Sequence, residues 1–260
     1  MTTGDSRVLA APAKVNLTLR VLEREPSGYH ALQTLFCRLA LADQVEVALE
    51  DEPGVRLRVE GAEDQPPPNL GPPAENLVVR AAGAFLEAAG IEQGLRIRLQ
   101  KRIPHGGGLG GGSSDAASTL LALDSLLPGL VSPERMEGVA ATLGSDVPFF
   151  LSGAPLAWAQ GRGERLTPLP ALPPRPVVLA VPPFRVATPA AYGWLDRDRT
   201  GREVPSPLTG PPADWAALED GAVNDFERSV YRRHPELRAL RDRLRRSDAL
   251  VALLSGSGST

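Results

Sequence analysis

Six glycines fall between Gly106 and Gly112 of the 260-residue chain, interrupted only by Leu109. They lead into Ser113, Ser114 and Asp115. Ala116, Leu120, Leu123 and Leu127 then recur at helical spacing until Pro128 closes the run. The pattern predicts a glycine loop feeding a helix, with Ser113, Ser114 and Asp115 where the N-cap belongs. Such an end presents unpaired N–H groups and about half a positive charge. Glycines let that backbone approach an anion with no side chain in the way, so the fitting ligand is a polyphosphate. Gly112 is followed by Ser113 and not by lysine, which excludes the P-loop pattern. Gly106, Gly108 and Gly111 satisfy G-x-G-x-x-G, but the context disagrees with a dinucleotide fold. Leu95–Leu99 before them alternates like a half-exposed strand rather than a buried parallel one, and no strand ending in an acidic residue follows at the right distance. A flexible linker is the plain alternative, and linkers do not usually run into a capped amphipathic helix.

Three further places could do chemistry. Of the 28 basic residues only Lys14 and Lys101 are lysine, which suggests work for a compact ammonium that a planar guanidinium does badly. Ala11–Val21 alternates cleanly: Val15, Leu17, Leu19 and Val21 would face the core, while Lys14, Asn16, Thr18 and Arg20 share the other face. Read alone, that second face is an ordinary solvated one. Asp146 stands between a helix stop at Gly144 and the apolar run Val147-Pro-Phe-Phe150. A partly buried carboxylate needs a cation or donors, and Lys14 is the economical candidate, although a turn-capping role is common for Asp. Pro26-Ser-Gly is turn chemistry that delivers Tyr29 and His30 side by side. An aromatic ring and an imidazole can stack on and hydrogen-bond a nucleobase, or simply pack.

The elements that must position these residues follow from pattern. Strands are predicted at Leu32–Leu41, Gln44–Leu49 and Val55–Val59, with a proline-rich surface loop from Gly61 to Pro73. A helix is predicted from Asn76 to Ala89 with Gly90 as its stop, and another from Ser132-Pro133 to Gly144. Trp158 to Leu166 reads as a hairpin, Pro168–Pro176 as a connector and Val177–Val181 as a buried strand. Thr188-Pro189 caps a short helix carrying Tyr192, Asp196–Pro212 reads as a mobile loop, and helical sequence runs from Asn224 to Arg246. The chain ends in Leu250–Leu254, read as a strand, and a second glycine-serine stretch to Thr260.

Composition narrows the classes. The formal net charge of −3 argues against a general basic surface for nucleic acid. A single cysteine, Cys37, excludes an internal disulfide and a cysteine-rich metal site. The N-terminus shows no apolar signal segment and no run is long enough to span a bilayer, so a soluble cytoplasmic protein without a membrane partner is expected.

Pro104 to Ser114 resembles the second signature of the GHMP kinases (galactokinase, homoserine, mevalonate and phosphomevalonate kinases). Its tripled glycines are most similar to those of the 4-diphosphocytidyl-2-C-methyl-D-erythritol kinases. Pro12-Ala-Lys-Val-Asn-Leu17 resembles the first motif of that family, Gly28-Tyr-His-Ala-Leu-Gln-Thr-Leu-Phe36 its cytidine-recognition segment, and Leu143-Gly-Ser-Asp-Val-Pro-Phe-Phe150 the segment bearing its catalytic base. The resemblance covers essentially the whole chain. It implies an α+β, two-domain GHMP kinase fold. The first domain, 1–153, would be like domain 2 of ribosomal protein S5 and hold the ATP loop; the second, 154–260, would be ferredoxin-like. Leu250–Thr260 resembles the third GHMP motif, a strand feeding a second glycine loop; family members continue past it with further strands and a helix, so an incomplete C-terminal domain is expected here.

The same resemblance implies ATP-dependent phosphorylation of the 2-hydroxyl of 4-diphosphocytidyl-2-C-methyl-D-erythritol, with Mg²⁺ on the phosphates. It makes Lys14 and Asp146 catalytic. It assigns Asn76, Lys101, Pro104, His105, Gly106, Gly107, Gly108, Leu109, Gly110, Gly111, Gly112, Ser113 and Ser114 to ATP, and Asn16, Tyr29, His30, Thr188 and Tyr192 to the small-molecule substrate. Asn76 could equally be only a helix cap. Two other readings remain: a GHMP kinase acting on another small alcohol, and a non-catalytic module that binds nucleotide or RNA.

Overall fold

A computed structural model of the chain describes residues 4–62, 66–201 and 203–260. Chain order runs β1 (Ser6–Arg24), β2 (His30–Glu50), β3 (Val55–Glu60), α1 (Leu77–Ala89), β4 (Gly94–Gln100), α2 (Gly111–Leu126), α3 (Pro133–Leu143) and α4 (Val147–Leu151). It continues with β5 (Leu156–Gly161), β6 (Arg165–Leu169), α5 (Thr188–Arg199), α6 (Trp215–Gly221), α7 (Glu227–Arg233) and α8 (Pro235–Arg245). The chain divides into two compact units. One comprises the chain up to Ala13, Leu39–His105 and Gly110–Gly153; the other comprises Lys14–Arg38, Gly106–Leu109 and the chain from Ala154 on.

In the first unit β4 lies between β2 and β3. It is antiparallel to Gln44–Glu50 and parallel to Val55–Glu60, so that Ile97 pairs with Val47 on one side and Leu57 on the other. The two-residue period expected for Leu95–Leu99 holds. Leu95, Ile97 and Leu99 are fully buried, while Arg96 and Arg98 reach outward to Glu50 and Glu60. The parallel partner β3 differs from that expectation. A strand can keep one face wet in such a mixed sheet, because helices are needed only on the other face. Helix α1 packs on α2 and α3, and α4 packs on α2. Phe85, Leu120, Leu123 and Phe149 are completely enclosed there, each burial worth about 1.5–3 kcal/mol.

In the second unit Leu32–Cys37 of β2 pairs antiparallel with β5, and β5 with β6 as the expected hairpin. Leu19, Val21, Ala191, Leu195, Phe226 and Val230 form the core beside α5 and α7.

Several expectations are corrected. Gly110, not Ser113–Asp115, is the N-cap of α2, and Ser114 and Asp115 are buried inside its first turns. Gly110 at φ 71° turns the chain sharply into the helix, a conformation that costs glycine nothing, so the helix begins earlier than a side-chain cap would place it. The strands expected at Leu32–Leu41 and Gln44–Leu49 are one strand, β2. Val177–Val181 is neither strand nor buried: Val178 is 74% exposed, and among the described residues no ladder partner pairs with it, which a buried strand requires. Leu250–Leu254 is likewise not a strand, although Ala252 and Leu254 are buried. Pro235 divides the expected C-terminal helix into α7 and α8, because it lacks the N–H that would continue the ladder. Asp196–Arg199 belongs to α5 rather than to a loop. Residues 63–65 of the predicted surface loop lie outside the described residues.

Candidate functional site

The polar face of β1 is buried from Lys14 to Thr18. Lys14, Asn16 and Thr18 are 4%, 7% and 1% exposed, whereas Val15 and Leu17 are only half-buried. The second face is therefore not the solvated one that alternation alone suggested, while Leu19 and Val21 of the first face are buried as expected. Burial of the second face is tolerated because the polar groups satisfy one another. Lys14 Nζ donates to Asn16 Oδ1 at 2.8 Å, Asn16 Nδ2 to Thr34 Oγ1 at 2.7 Å, and Thr34 Oγ1 to the Thr18 carbonyl at 2.7 Å. Lys14 Nζ also lies 5.0 Å from the Phe36 ring centre. The strand period thus delivers a fixed ammonium and a fixed amide side by side.

Tyr29, in the turn before β2, and His30, the first residue of β2, have different surroundings. His30 is buried, stacks on Tyr192 at 5.1 Å, and places Nε2 2.7 Å from Asp196 Oδ1. A carboxylate only accepts, so Nε2 carries the proton in that bond. Tyr192 in turn meets Phe226 edge-on at 4.8 Å. Tyr29 is 61% exposed, its ring covered by the Arg162 guanidinium at 4.4 Å. Thr188 opens α5 and its hydroxyl hydrogen-bonds Ser257 at 2.9 Å.

Pro104–Gly110 is a turn-rich loop that runs directly into α2, whose first turn holds Gly111–Ser114. Gly108 adopts φ 77°, and a Cβ there would strike the Ser255 carbonyl. Ser255 Oγ donates to the Gly108 carbonyl at 3.2 Å, and the Thr260 N–H to that of Gly107 at 3.3 Å. The second glycine-serine stretch therefore backs the middle of the first. His105 is exposed.

In the first unit Asn76 caps α1, its Oδ1 accepting from the Val78 N–H at 3.0 Å. Asp146 is half-buried in the N-cap position of α4 but makes no side-chain cap bond. Lys101 is 6% exposed and is gripped by two carboxylates, Asp43 and, at 2.6 Å, Asp115. Burial works against the Lys101 charge, but Asp115 and Asp43 outweigh it and raise its pKa. Asp115 is pushed up to about 7, chiefly by burial, with Lys101 pulling the other way.

Two residues at these places were not singled out by sequence: Asp43 and Asp196. A carboxylate inside the apolar strand run Leu39–Val47 was the available signal for Asp43. Asp196 was hidden by the charged, glycine-rich stretch that follows it.

Comparison with known proteins decides the family. The model of the GHMP kinases N terminal domain matches residues 76–154, and that of the GHMP kinases C terminal matches 213–260. A 4-diphosphocytidyl-2-C-methyl-D-erythritol kinase of Thermus thermophilus is 46% identical over 254 residues, which cover 96% of this chain and 84% of the relative. The chain belongs to the 4-diphosphocytidyl-2-C-methyl-D-erythritol kinase family. A second family member, from Geobacter metallireducens, is 41% identical and covers 98% of this chain and 88% of its own. A crystal structure of 4-(cytidine 5'-diphospho)-2C-methyl-D-erythritol kinase matches with a TM-score of 0.81 at 43% identity, covering 97% of this chain and 88% of that one. The crystal structure of L. major mevalonate kinase shares the fold alone, at 12% identity and a TM-score of 0.62 over 99% of this chain and 86% of that one. The two-domain α+β GHMP fold and membership of an ATP-dependent kinase family stand on these matches. No helix among the described residues is long and apolar enough to cross a membrane.

Proposed function

We propose that this chain transfers the γ-phosphoryl group of ATP to the 2-hydroxyl of 4-diphosphocytidyl-2-C-methyl-D-erythritol, giving the 2-phosphate and ADP in non-mevalonate isoprenoid biosynthesis. The observation that carries it is near-full-length identity of 46% to a kinase of that name. The site supports it residue by residue.

Residues Pro104–Ser114 would cradle the ATP phosphates with backbone N–H groups, and Asn76 at the start of α1 would lie near the nucleotide. Asp146, half-buried at the start of α4, is the proposed acceptor of the hydroxyl proton. A carboxylate suffices as base because a loose phosphoryl-transfer transition state needs the proton removed late. Lys14, fixed by Asn16, is proposed to offset developing negative charge, and a preoriented ammonium does so without reorganisation. Tyr29 and His30 are proposed to hold the cytosine, with Asn16, Thr188 and Tyr192 as further substrate contacts. Among the described residues no group of three His, Cys, Asp or Glu side chains could hold a metal ion. In this proposal Mg²⁺ therefore arrives on the ATP phosphates, where it neutralises charge. A boundary near residue 153 is proposed between the two GHMP domains, consistent with matches that end at 154 and resume at 213.

The test is coupled ADP release with ATP and Mg²⁺, comparing 4-diphosphocytidyl-2-C-methyl-D-erythritol with homoserine and mevalonate. The proposal expects ADP only with the cytidyl substrate. Equal or greater turnover of another alcohol overturns the substrate assignment while leaving the kinase fold in place.

A further inference from the structure

Lys101 was expected to reach the nucleotide, yet its surroundings leave an ammonium little to offer a phosphate. Its Nζ is held by Asp43 and Asp115, and the side chain is 6% exposed. Asp43 and Asp115 are themselves almost completely enclosed, at 1% and 2%. What these three groups hold together is informative. Asp43 also accepts from the backbone N–H of Arg102 and, at 2.8 Å, of Ile103, the last residues before the loop. Asp115 is the fifth residue of α2, one turn from its start. Gly111 lies directly over the cluster, for a Cβ there would come 3.2 Å from the Ile103 side chain and 3.4 Å from Lys101 Nζ.

The ammonium therefore joins the entry of the loop to the first turn of α2. The Ser114 N–H is already used by the Gly110 carbonyl at 2.9 Å, which leaves the N–H groups of Gly111, Gly112 and Ser113 as the unpaired end. Their direction is set by how the first turn of α2 is pinned.

We propose that Lys101 is a positioning residue rather than a nucleotide ligand, and that with Asp43 and Asp115 it fixes the first turn of α2 so that its N–H groups meet the ATP phosphates. The inference rests on the reading of this loop as the ATP site. Charge balance points the same way. Lys101 is the cation set against Asp43 and Asp115, so it also offsets negative charge beneath a site meant for an anion. Asp115 Oδ1 has no hydrogen-bond partner among the described residues. Its Oδ2 bonds Lys101 at 2.6 Å, and Asp115, unlike Asp43, takes no backbone N–H of the loop entry, which makes it the point where the cluster can be opened with least other damage.

The test is direct ATP binding to the full chain, by titration calorimetry, for the wild type, Asp115→Asn, Lys101→Met and the double variant. KM for ATP and for the cytidyl substrate is measured in parallel. Asp115→Asn is isosteric and leaves Lys101 its bond to Asp43, so it keeps the test available if Lys101→Met does not fold. Positioning predicts that Asp115→Asn weakens ATP binding by about five- to tenfold and raises KM for ATP alike, with KM for the cytidyl substrate unchanged. It also predicts that the double variant is no worse than the worse single one, as residues acting through one contact are non-additive. If Lys101 contacts ATP itself, Asp115→Asn leaves ATP binding unchanged or tighter, and the proposal is overturned. Equal changes in both KM values, or additive losses, overturn it as well. A wild type that binds no ATP at all sinks both this inference and the function on which it rests.

Discussion

Asn224→Asp is expected to be more damaging than Asn224→Ala, although it preserves the shape of the side chain. Asn224 is 6% exposed. Its Nδ2 donates to the carbonyls of Leu254 at 2.7 Å and Gly256 at 2.8 Å, while its Oδ1 accepts from the Phe226 N–H at 2.9 Å. Alanine removes all three bonds, at about 1 kcal/mol each, for a loss of roughly 2–4 kcal/mol. Aspartate keeps the bond from Phe226 but turns a carboxylate oxygen toward two carbonyl oxygens. Both carbonyls lose their donor and face a negative charge, so the loss rises to about 4–5 kcal/mol, a large part of the 5–15 kcal/mol that typically stabilises a domain.

The sign with pH follows. The neutral acid can donate to one carbonyl and the ion cannot, so the folded-state pKa of the new group lies above its unfolded value of about 3.9. The folded state then binds the extra proton, and the variant loses stability as pH rises from about 4 through the folded pKa. Urea unfolding of the wild type and both variants from pH 4 to pH 8 measures this. Aspartate costing no more than alanine at pH 8, or a penalty that shrinks as pH rises, would refute the reasoning. Because Ser255 and Thr260 back the glycine loop, KM for ATP should rise in the same variants.

Asp146→Asn should lower turnover by roughly a hundred- to ten-thousand-fold, the range for a lost general base, with circular dichroism and ATP affinity little changed; steady-state kinetics of the folded variant checks it. Tyr29→Ala should cost under about 1 kcal/mol in thermal unfolding, since the ring is exposed and meets Arg162. Its KM for the cytidyl substrate should rise roughly tenfold or more, as stacking is worth about 1–3 kcal/mol per base. Arg233 holds the Asp198 carboxylate down to about 2, with Ser229 and Arg232 assisting. Its stabilisation is therefore present above pH 4 and lost as pH falls toward 2, and Asp198→Asn should flatten that part of an acid-unfolding curve.

The local elements were legible wherever chain chemistry alone decides them. The caps at Asn76 and Ser132, the stop at Gly90 and the β5–β6 hairpin follow from side-chain donors and glycine conformations within a few residues. The family motifs were legible for the same reason, as contiguous strings. What alternation does not encode is which face of a strand meets the core. On β1 the Lys14 face is buried because Thr34, eighteen residues away from Asn16, completes its hydrogen bonds. Nor could propensity tell that Val177–Val181 lacks a ladder, since strand formation is a property of the partner as much as of the run. The Lys101 cluster was missed because Asp43 and Asp115 lie 58 and 14 residues from the lysine they hold.

Phosphorus NMR of the completed reaction with ATP, Mg²⁺ and 4-diphosphocytidyl-2-C-methyl-D-erythritol tests the central claim most directly. The account predicts one new phosphomonoester signal, coupled to the methyl-bearing carbon at position 2. It should match the ADP formed, with the two signals of the cytidyl diphosphate bridge retained. A phosphoryl group at another hydroxyl, loss of the diphosphate bridge, or ADP formed without a new phosphomonoester would contradict it.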